Sequence, residues 1–368
     1  MNTRQLAAAL QRAVDFENSG EFFEAEQLYR QLAGRRPAVD MAHYMYAQFL
    51  LRKGRYAEAW PHFMQRLQDS VYREKAPAKF TQPYWSSLDL EDAAEKTLLI
   101  TCDQGIGDAL MCTRYIPLVA PRFKAVVLFV FVGFKELFQC LEAHDGVSVM
   151  EYEQVPPPFD IYADAFSLPA IFGTEPETIP QASWLTVDDA IFEKWRKRLN
   201  GGQLNVGFAW QGNPAHARDA ERSVPLSAFQ PLLTSGINAI SLQVGHGSEA
   251  AVDPAIAGCI KSYDEIAAQL DLGHGRMLES AALIRCLDLV ISVDTAVVHL
   301  AGAIGTPAWV LLPKVPDWRW MMDVDFSPWY PRARLFRALD RDCYDLPLAQ
   351  MQTRLRGIVD QGSDAQLP

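Results

Sequence analysis

The sequence predicts an α/β protein built on doubly wound sheets and preceded by an all-α repeat segment. Three observations carry this. Five positions in the first seventy residues recur at a fixed spacing of 34. Apolar strand-like runs alternate with helix-like stretches from Lys96 onward, and the alternation restarts at Asn205. Finally, 368 residues exceed one ordinary core, so two or three domains are expected.

The repeat comes first. Gly20, Phe22, Glu24, Ala25 and Tyr29 return as Gly54, Tyr56, Glu58, Ala59 and Phe63. Thirty-four residues is the tetratricopeptide period, with two amphipathic helices joined at each Gly. Ala25 and Ala59 allow close helix approach, and Tyr29 and Phe63 fill the space beside them. Two repeats bury too little to stand alone, so the array is expected to lean on the next domain.

Residues 76–95, with Pro77, Pro83 and Trp85, read as a linker ending in an anchor. Lys96 to Thr101 reads as a strand, and a Gly-rich turn to Asp108 opens a helix. Ala125 to Val132 is the next strand, followed by a helix around Phe134 to Ala143 and strands at Val147 to Glu151 and Asp160 to Tyr162. Thr186 to Leu199 reads as a connecting helix. Strands follow at Val206 to Trp210, Ala239 to Gln243, Leu289 to Val293 and Ala308 to Leu312, and the tail from about Gly357 is expected to be disordered. The expected units are 1–75 (helical repeats), 76–199 and 200–340 (Rossmann-like), and 341–368 (C-terminal helix and tail).

Composition narrows the function classes. Apolar residues make up 49% and charged residues 21%, as in soluble globular proteins. The net charge is −11 and no basic patch is visible, which argues against a nucleic-acid partner. Six cysteines form no CxxC pair and mostly lie in apolar surroundings, so free thiols in a reducing cytoplasm are expected and a zinc site is not. The N-terminus lacks the apolar core of a signal peptide, and the most apolar run, Ala125 to Val132, is too short to span a bilayer.

The most informative stretch is Val290 to Pro307. A buried strand stops at Asp294 and Thr295, and a helix of small residues follows. Thr295 is a candidate N-cap, so the amides of Ala296 and Val297 would face whatever lies above the strand, an arrangement that binds phosphate. Asp294 is placed to hold sugar hydroxyls, and His299 lies one helical turn beyond Thr295 on the same face. An ordinary β-turn-α connection is the plain alternative. Gly105-Ile106-Gly107-Asp108 also follows a strand and opens a helix, but it lacks the third glycine of a dinucleotide fingerprint. By residue type alone, helix capping is the commoner role for an Asp such as Asp108 there. Asp323-Val324-Asp325 matches a three-residue metal motif but follows no strand and carries little weight. Trp318, Trp320, Trp329 and Tyr330 read as packing.

The pattern Asp294-Thr295-Ala296-x-x-His299-Leu-Ala-Gly-Ala-x-Gly305-x-Pro307 resembles the donor-binding segment of the bacterial heptosyltransferase-like glycosyltransferases, glycosyltransferase family 9. The resemblance is strongest to the subgroup with tetratricopeptide repeats in front. It extends in pieces from Pro83 to Arg337, through Asp103 to Leu110, Ser167 to Pro169, Gly207 to Pro214, Arg222-Ser223, Ser241 to Gln243, Asp317 to Trp320 and Ser327 to Pro331. It implies the GT-B architecture, two Rossmann-like domains facing each other. It implies that Asp108 is the acceptor-activating base, with Gln104, Gly105 and Gly107 beside it. Asp103 stands where the nearest relatives carry Glu, which leaves open which of the two acids dominates.

The same resemblance implies a donor side made of Trp210, Gln211, Gly212, Asn213, Gln243, Glu279, Asp294, Thr295, Ala296, Val297 and His299. Arg222 is the preferred diphosphate ligand over Arg218, because Arg222-Ser223 matches the family's Arg-Ser pair. For Arg222 the alternative is a surface ion pair, and for Glu279 a helix N-terminal charge. His216 reads as a loop histidine. The expected function is metal-independent, inverting sugar transfer from a nucleotide diphosphate sugar to a hydroxyl, with no cofactor. A polypeptide acceptor, such as a flagellar or surface protein, is expected to dock on the repeats. Transfer to a lipopolysaccharide or other glycan is the second reading, and a repeat scaffold with an inactive transferase fold is the third.

Overall fold

The computed structural model describes residues 3–35, 40–68, 80–181, 183–199, 202–216, 218–233, 236–252, 256, 258–263, 275–340 and 343–361. Four helices open it: α1 (Thr3–Ser19), α2 (Phe22–Ala33), α3 (Asp40–Arg52) and α4 (Tyr56–Met64). They form two hairpins that turn at Gly20 and Gly54, both with positive φ (86° and 74°). Ala25 and Ala59 are wholly buried, and Tyr29 and Phe63 pack inside with them. The Tyr29 hydroxyl donates to Glu17 at 2.6 Å, and Arg52 grips the same carboxylate at 2.6 and 2.9 Å. A buried ion pair of this kind fixes the register of the helices more than it adds stability.

The linker ends as expected in an anchor. Trp85 is buried, its ring 5.0 Å from that of Phe123, and its backbone N–H donates to the Tyr162 carbonyl at 2.7 Å. Two sheets follow. The first holds β1 (Thr97–Thr101), β2 (Ala125–Val130), β3 (Val147–Glu151) and β4 (Ile161–Asp164) in the order β3-β2-β1-β4, all parallel. Period-two alternation explains how it is covered. Leu98 and Ile100 face the main core, while Leu99 faces a small cluster with Val127 and Phe129. The second sheet holds β5 (Leu204–Ala209), β6 (Ile237–Ser241), β7 (Leu289–Val293), β8 (Ala308–Leu312), β9 (Phe326–Ser327) and β10 (Tyr330–Arg337). Its order is β6-β5-β7-β8-β10-β9, parallel except for β9. Both sheets therefore have the crossover connectivity of doubly wound α/β folds.

Several expectations need correction. The helix foreseen at 134–143 is a short α-turn, Lys135–Phe138, continued as a 3₁₀ turn, Gln139–Ala143. The connecting helix is shorter, Asp189–Arg196. The strand expected at 239–243 lies two residues earlier. β10 was not foreseen, because Pro331, Arg332 and Arg334 break its apolar pattern. Gly357 lies inside a helix, Asp345–Gln361, rather than opening a disordered tail. Leu348, Met351, Leu355 and Ile358 seat that helix under the second sheet against Phe229 and Leu232. Residues 362–368 of the expected tail, and 76–79 of the linker, lie outside the described residues.

The helices and both sheets share one continuous apolar cluster. Within it Trp60 of α4 meets Trp318 edge-on, Phe63 meets Phe166 and Trp318, and Trp318 in turn packs edge-on against Trp329, with ring centroids 5.0–6.2 Å apart. Tyr56 accepts from the Trp329 indole at 2.9 Å, and the Trp60 indole donates to the Thr174 carbonyl at 2.7 Å. The buried Arg66 pairs with Asp164 at 2.8 Å. The helical segment thus leans on both sheets, where the sequence suggested only the first.

Candidate functional site

The carboxyl ends of both sheets point at one cavity of about 660 Å³, where open α/β sheets place their ligands. The second sheet supplies Gln211 to Asn213 after β5, Gln243 to His246 after β6, Asp294 to Val297 after β7, and Asp317 with Arg319 after β8. The first sheet supplies Gly105 to Asp108 after β1 and Phe134 after β2.

The second-sheet wall is organised around Arg222. Its Nη1 donates to the Asp294 carbonyl at 2.8 Å and its Nε pairs with Asp219 at 3.1 Å. Asp219 also accepts from Ser223 Oγ at 3.0 Å, and Ser223 accepts from the Gly212 amide at 2.9 Å. The loop after β5 is therefore tied to the guanidinium. A Cβ at Gly212 would come 2.3 Å from Asp219 Oδ1 and 2.5 Å from Arg222 Nη2, so any larger residue there must push this ion pair aside. Thr295 stands at the N-cap of the helix Ala296–Ile304, but its hydroxyl caps nothing. It lies 3.2 Å from Ser292 Oγ instead. The amides of Ala296 and Val297 consequently keep no side-chain cap, and both residues line the cavity.

His299 forms the seam between the walls. Its Nδ1 is 2.6 Å from the Tyr330 hydroxyl, and its ring stacks on Trp320 at 5.6 Å. Nε2 lies 3.8 Å from Asp294 Oδ1. Burial pushes its pKa down to about 4, so the ring is neutral near pH 7. Across the seam a Cβ at Gly107 would meet His299 Cδ2 at 2.7 Å. The glycine lets the helix Ile106–Cys112 press against Ala296–Ile304.

On the first-sheet wall Asp108 is half-buried and faces the cavity. Oδ2 accepts the Gly105 amide at 2.8 Å, and Oδ1 pairs with Arg319. The capping role that residue type suggested is therefore present, together with a cross-wall ion pair.

Other expected residues sit elsewhere. Trp210 is buried in the core of the second sheet, its indole donating to the Gly247 carbonyl at 3.2 Å, while its neighbours Ala209 and Gln211 to Asn213 reach the cavity. Gln243 lines the cavity with a consumed amide. Oε1 accepts from the Trp210 and Gln211 amides at 3.1 and 3.0 Å, and Nε2 donates to the Gln211 and His246 carbonyls at 3.0 and 2.7 Å. Glu279 is withdrawn from the cavity. It binds Lys194 at 2.8 Å and the Trp195 indole, tying the helix Leu278–Arg285 to Asp189–Arg196, while Ser280 next to it lines the cavity. Gln104 and Asp103 lie off the lining. Burial and neighbouring Asp164 push the Asp103 carboxyl up to about 7. Asp323 and Asp325 are exposed and pair with Lys53 and Arg334 at 3.4 and 3.2 Å. No cluster of three or more metal-ligating side chains occurs among the described residues.

Arg319 is the residue that sequence reasoning missed. It sits between two tryptophans in a stretch that reads as packing. Asp317, two residues before it, was the available signal, since a buried arginine needs a carboxylate partner. The pair closes at 2.7 Å. Burial lowers the Arg319 pKa to about 10, which leaves it cationic near pH 7. Arg218 also lines the cavity, braced by Glu221 and the Val315 carbonyl, each at 2.7 Å. No helix among the described residues is long and apolar enough to cross a membrane.

Over 345 residues the chain is 27% identical to Protein FlbA of Caulobacter vibrioides, covering 86% of this chain and 55% of that protein. The chain thus spans just over half the length of that relative. Among solved structures it aligns with Escherichia coli ADP-heptose lps heptosyltransferase II at 11% identity and a TM-score of 0.48, covering 72% of this chain and 99% of that one. It aligns with the family 9 glycosyl transferase of Veillonella parvula at 10% identity and a TM-score of 0.47, covering 70% and 90%. Residues 236–355, which carry β6 through β10 and the second-sheet wall from Gln243 to Arg319, match the model of glycosyltransferase family 9 (heptosyltransferase).

Proposed function

We propose that the protein transfers a sugar from a nucleotide diphosphate sugar to a hydroxyl acceptor, with inversion and without a metal. One observation carries the reading. A segment matching family 9 supplies an uncapped helix start, Arg222 from the loop before that segment is braced on its Asp294 carbonyl, and the opposite wall presents a carboxylate into the same cavity. The 296–297 amides and Arg222 hold the diphosphate, as helix starts and guanidinium groups do elsewhere. Asp294 holds donor hydroxyls, and neutral His299 fixes the seam. The acceptor oxygen attacks the anomeric carbon and its proton passes to Asp108. The bond to the diphosphate oxygen breaks, and the nucleotide diphosphate leaves with its new charge on Arg222 and the amides. The repeats present a surface for a polypeptide acceptor. The heptosyltransferase description of the matching family supports a second reading, in which the acceptor is a glycan.

Thermal shift against ADP, UDP, GDP and their sugar conjugates, with EDTA present, tests the donor half. A ligand at 100 times its Kd adds about 2.7 kcal/mol, which is easily read. Stabilisation that persists in EDTA, followed by nucleotide release from the selected conjugate, is the expected result. A chain that binds no nucleotide, or binds only with added divalent metal, contradicts it.

A further inference from the structure

Arg319 reaches across the cleft from the second-sheet wall and binds Asp108 on the first. It is unusually well fixed. Nη1 and the backbone N–H both bond Asp317, at 2.7 and 3.1 Å, and Nε contacts Met111 Sδ at 3.2 Å. The guanidinium lies 4.8 Å from the Trp318 ring and 5.5 Å from that of Phe166. A side chain held on this many sides does not swing toward a ligand at low cost. Asp108, in contrast, has its second oxygen on the amide that starts its own helix. Every direct contact of its carboxylate is thereby accounted for by a fixed group on one wall or the other.

We infer that Arg319 is a positioning residue that aims the Asp108 carboxylate into the cavity and couples it to the donor wall. This rests on Asp108 being the base of the proposed reaction. The forked guanidinium fixes the carboxylate in orientation as well as charge, which a lysine ammonium does less well. Arg222, which lies with the donor-side groups, does the separate work of holding phosphate.

The test is a double-mutant cycle on the full chain, using the nucleotide sugar that the panel above selects. Nucleotide release with water as acceptor gives kcat, and calorimetry gives Kd for the corresponding nucleotide diphosphate. Arg319→Gln is expected to lower kcat by roughly 10- to 100-fold, the range of coupling between directly bonded pairs. Nucleotide Kd should stay within about twofold, and Arg319→Lys should recover part of the loss. In an Asp108→Asn background Arg319→Gln should cost nothing further. Should Arg319→Gln fail to fold, the Lys variant run through the same cycle gives the same answer. A full additive loss in the Asn background, or weakened Kd with kcat intact, overturns the inference. Asp108→Asn with normal turnover overturns the base assignment itself and is recognisable as such, as is a panel that yields no donor.

Discussion

The two walls of the cleft are built differently. The second sheet contributes the loops after four of its strands, and it carries Arg218 and Arg222 with their braces, while its Arg319 reaches across to Asp108. The first sheet contributes one glycine turn with Asp108, plus Phe134. One wall is thus suited to hold a large anionic donor at many points. The other presents a single reactive group to a smaller partner. Binding energy and chemistry are expected to separate in the same way, with Arg222 and the helix start of the second wall setting affinity, and Asp108 with its partner Arg319 setting turnover.

The largest effect should come from the first wall. Asp108→Asn keeps the size of the side chain and its bond to the Gly105 amide, yet removes the proton acceptor. Turnover should fall roughly 10²–10⁴-fold with nucleotide Kd nearly unchanged, the usual contribution of a general base. Initial rates and calorimetry on the same preparation check it. If affinity falls along with turnover, the division of labour between the walls fails.

The seam gives the next effect, read as pH dependence of stability. His299 has a pKa near 4 in the folded chain against about 6.5 unfolded. Between these values the unfolded chain binds more protons, so this contribution is complete above pH 6.5 and is lost as pH falls toward 4. The loss is about 3 kcal/mol over the window. Asp103 acts with the opposite sign, since its carboxyl is raised, so only the difference between wild type and His299→Gln isolates the histidine. Urea unfolding at pH 7 and pH 4.5 should show a steeper acid loss in wild type than in the variant. Equal slopes would mean the ring is not held neutral at the seam.

The second wall comes third. Arg222→Ala removes a charged hydrogen-bond donor and should weaken nucleotide diphosphate binding by about 1.5–3 kcal/mol. Gly212→Ala is a finer probe of the same wall, because its Cβ would push the Asp219–Arg222 pair aside without deleting it. It should reproduce part of the loss. Affinity unmoved by both changes would put the phosphate elsewhere.

The walls also differ in how much of them the sequence reveals. The turn at Gly105–Asp108 and the start of the helix after Asp294 are local patterns, in which an apolar strand meets small residues and a polar side chain. Both were readable and both face the cavity. Trp210 and Gln211 show what local pattern cannot decide. They are adjacent, and the strand's alternation sends one into the core and the other to the cavity. Glu279 and Gln243 had the right positions in the chain, but partners distant in sequence, Lys194 with Trp195 and the loop after β5, had already claimed them. Arg319 was hidden for the same reason. Its partner Asp108 lies 211 residues away, and no spacing rule connects them. The repeat period was legible, whereas its aromatic contact with both sheets depended on residues from three separate segments.

The smallest effect tests a site that belongs to neither wall. Asp323 and Asp325 have the spacing of a metal-binding pair. Each is instead engaged by one surface cation, and neither reaches the cavity. Exposed pairs of this sort contribute about 0–1 kcal/mol. Changing both to Asn should therefore leave nucleotide affinity and turnover unchanged, with and without EDTA, and shift unfolding free energy by no more than about 1 kcal/mol. The comparison is sharp because Arg222→Ala and Asp108→Asn each alter one charge inside the cavity, while this double change alters two outside it. Loss of activity in the Asp323→Asn/Asp325→Asn chain, restored by added divalent metal, would move the chemistry away from the cleft and make the difference between its walls irrelevant to catalysis.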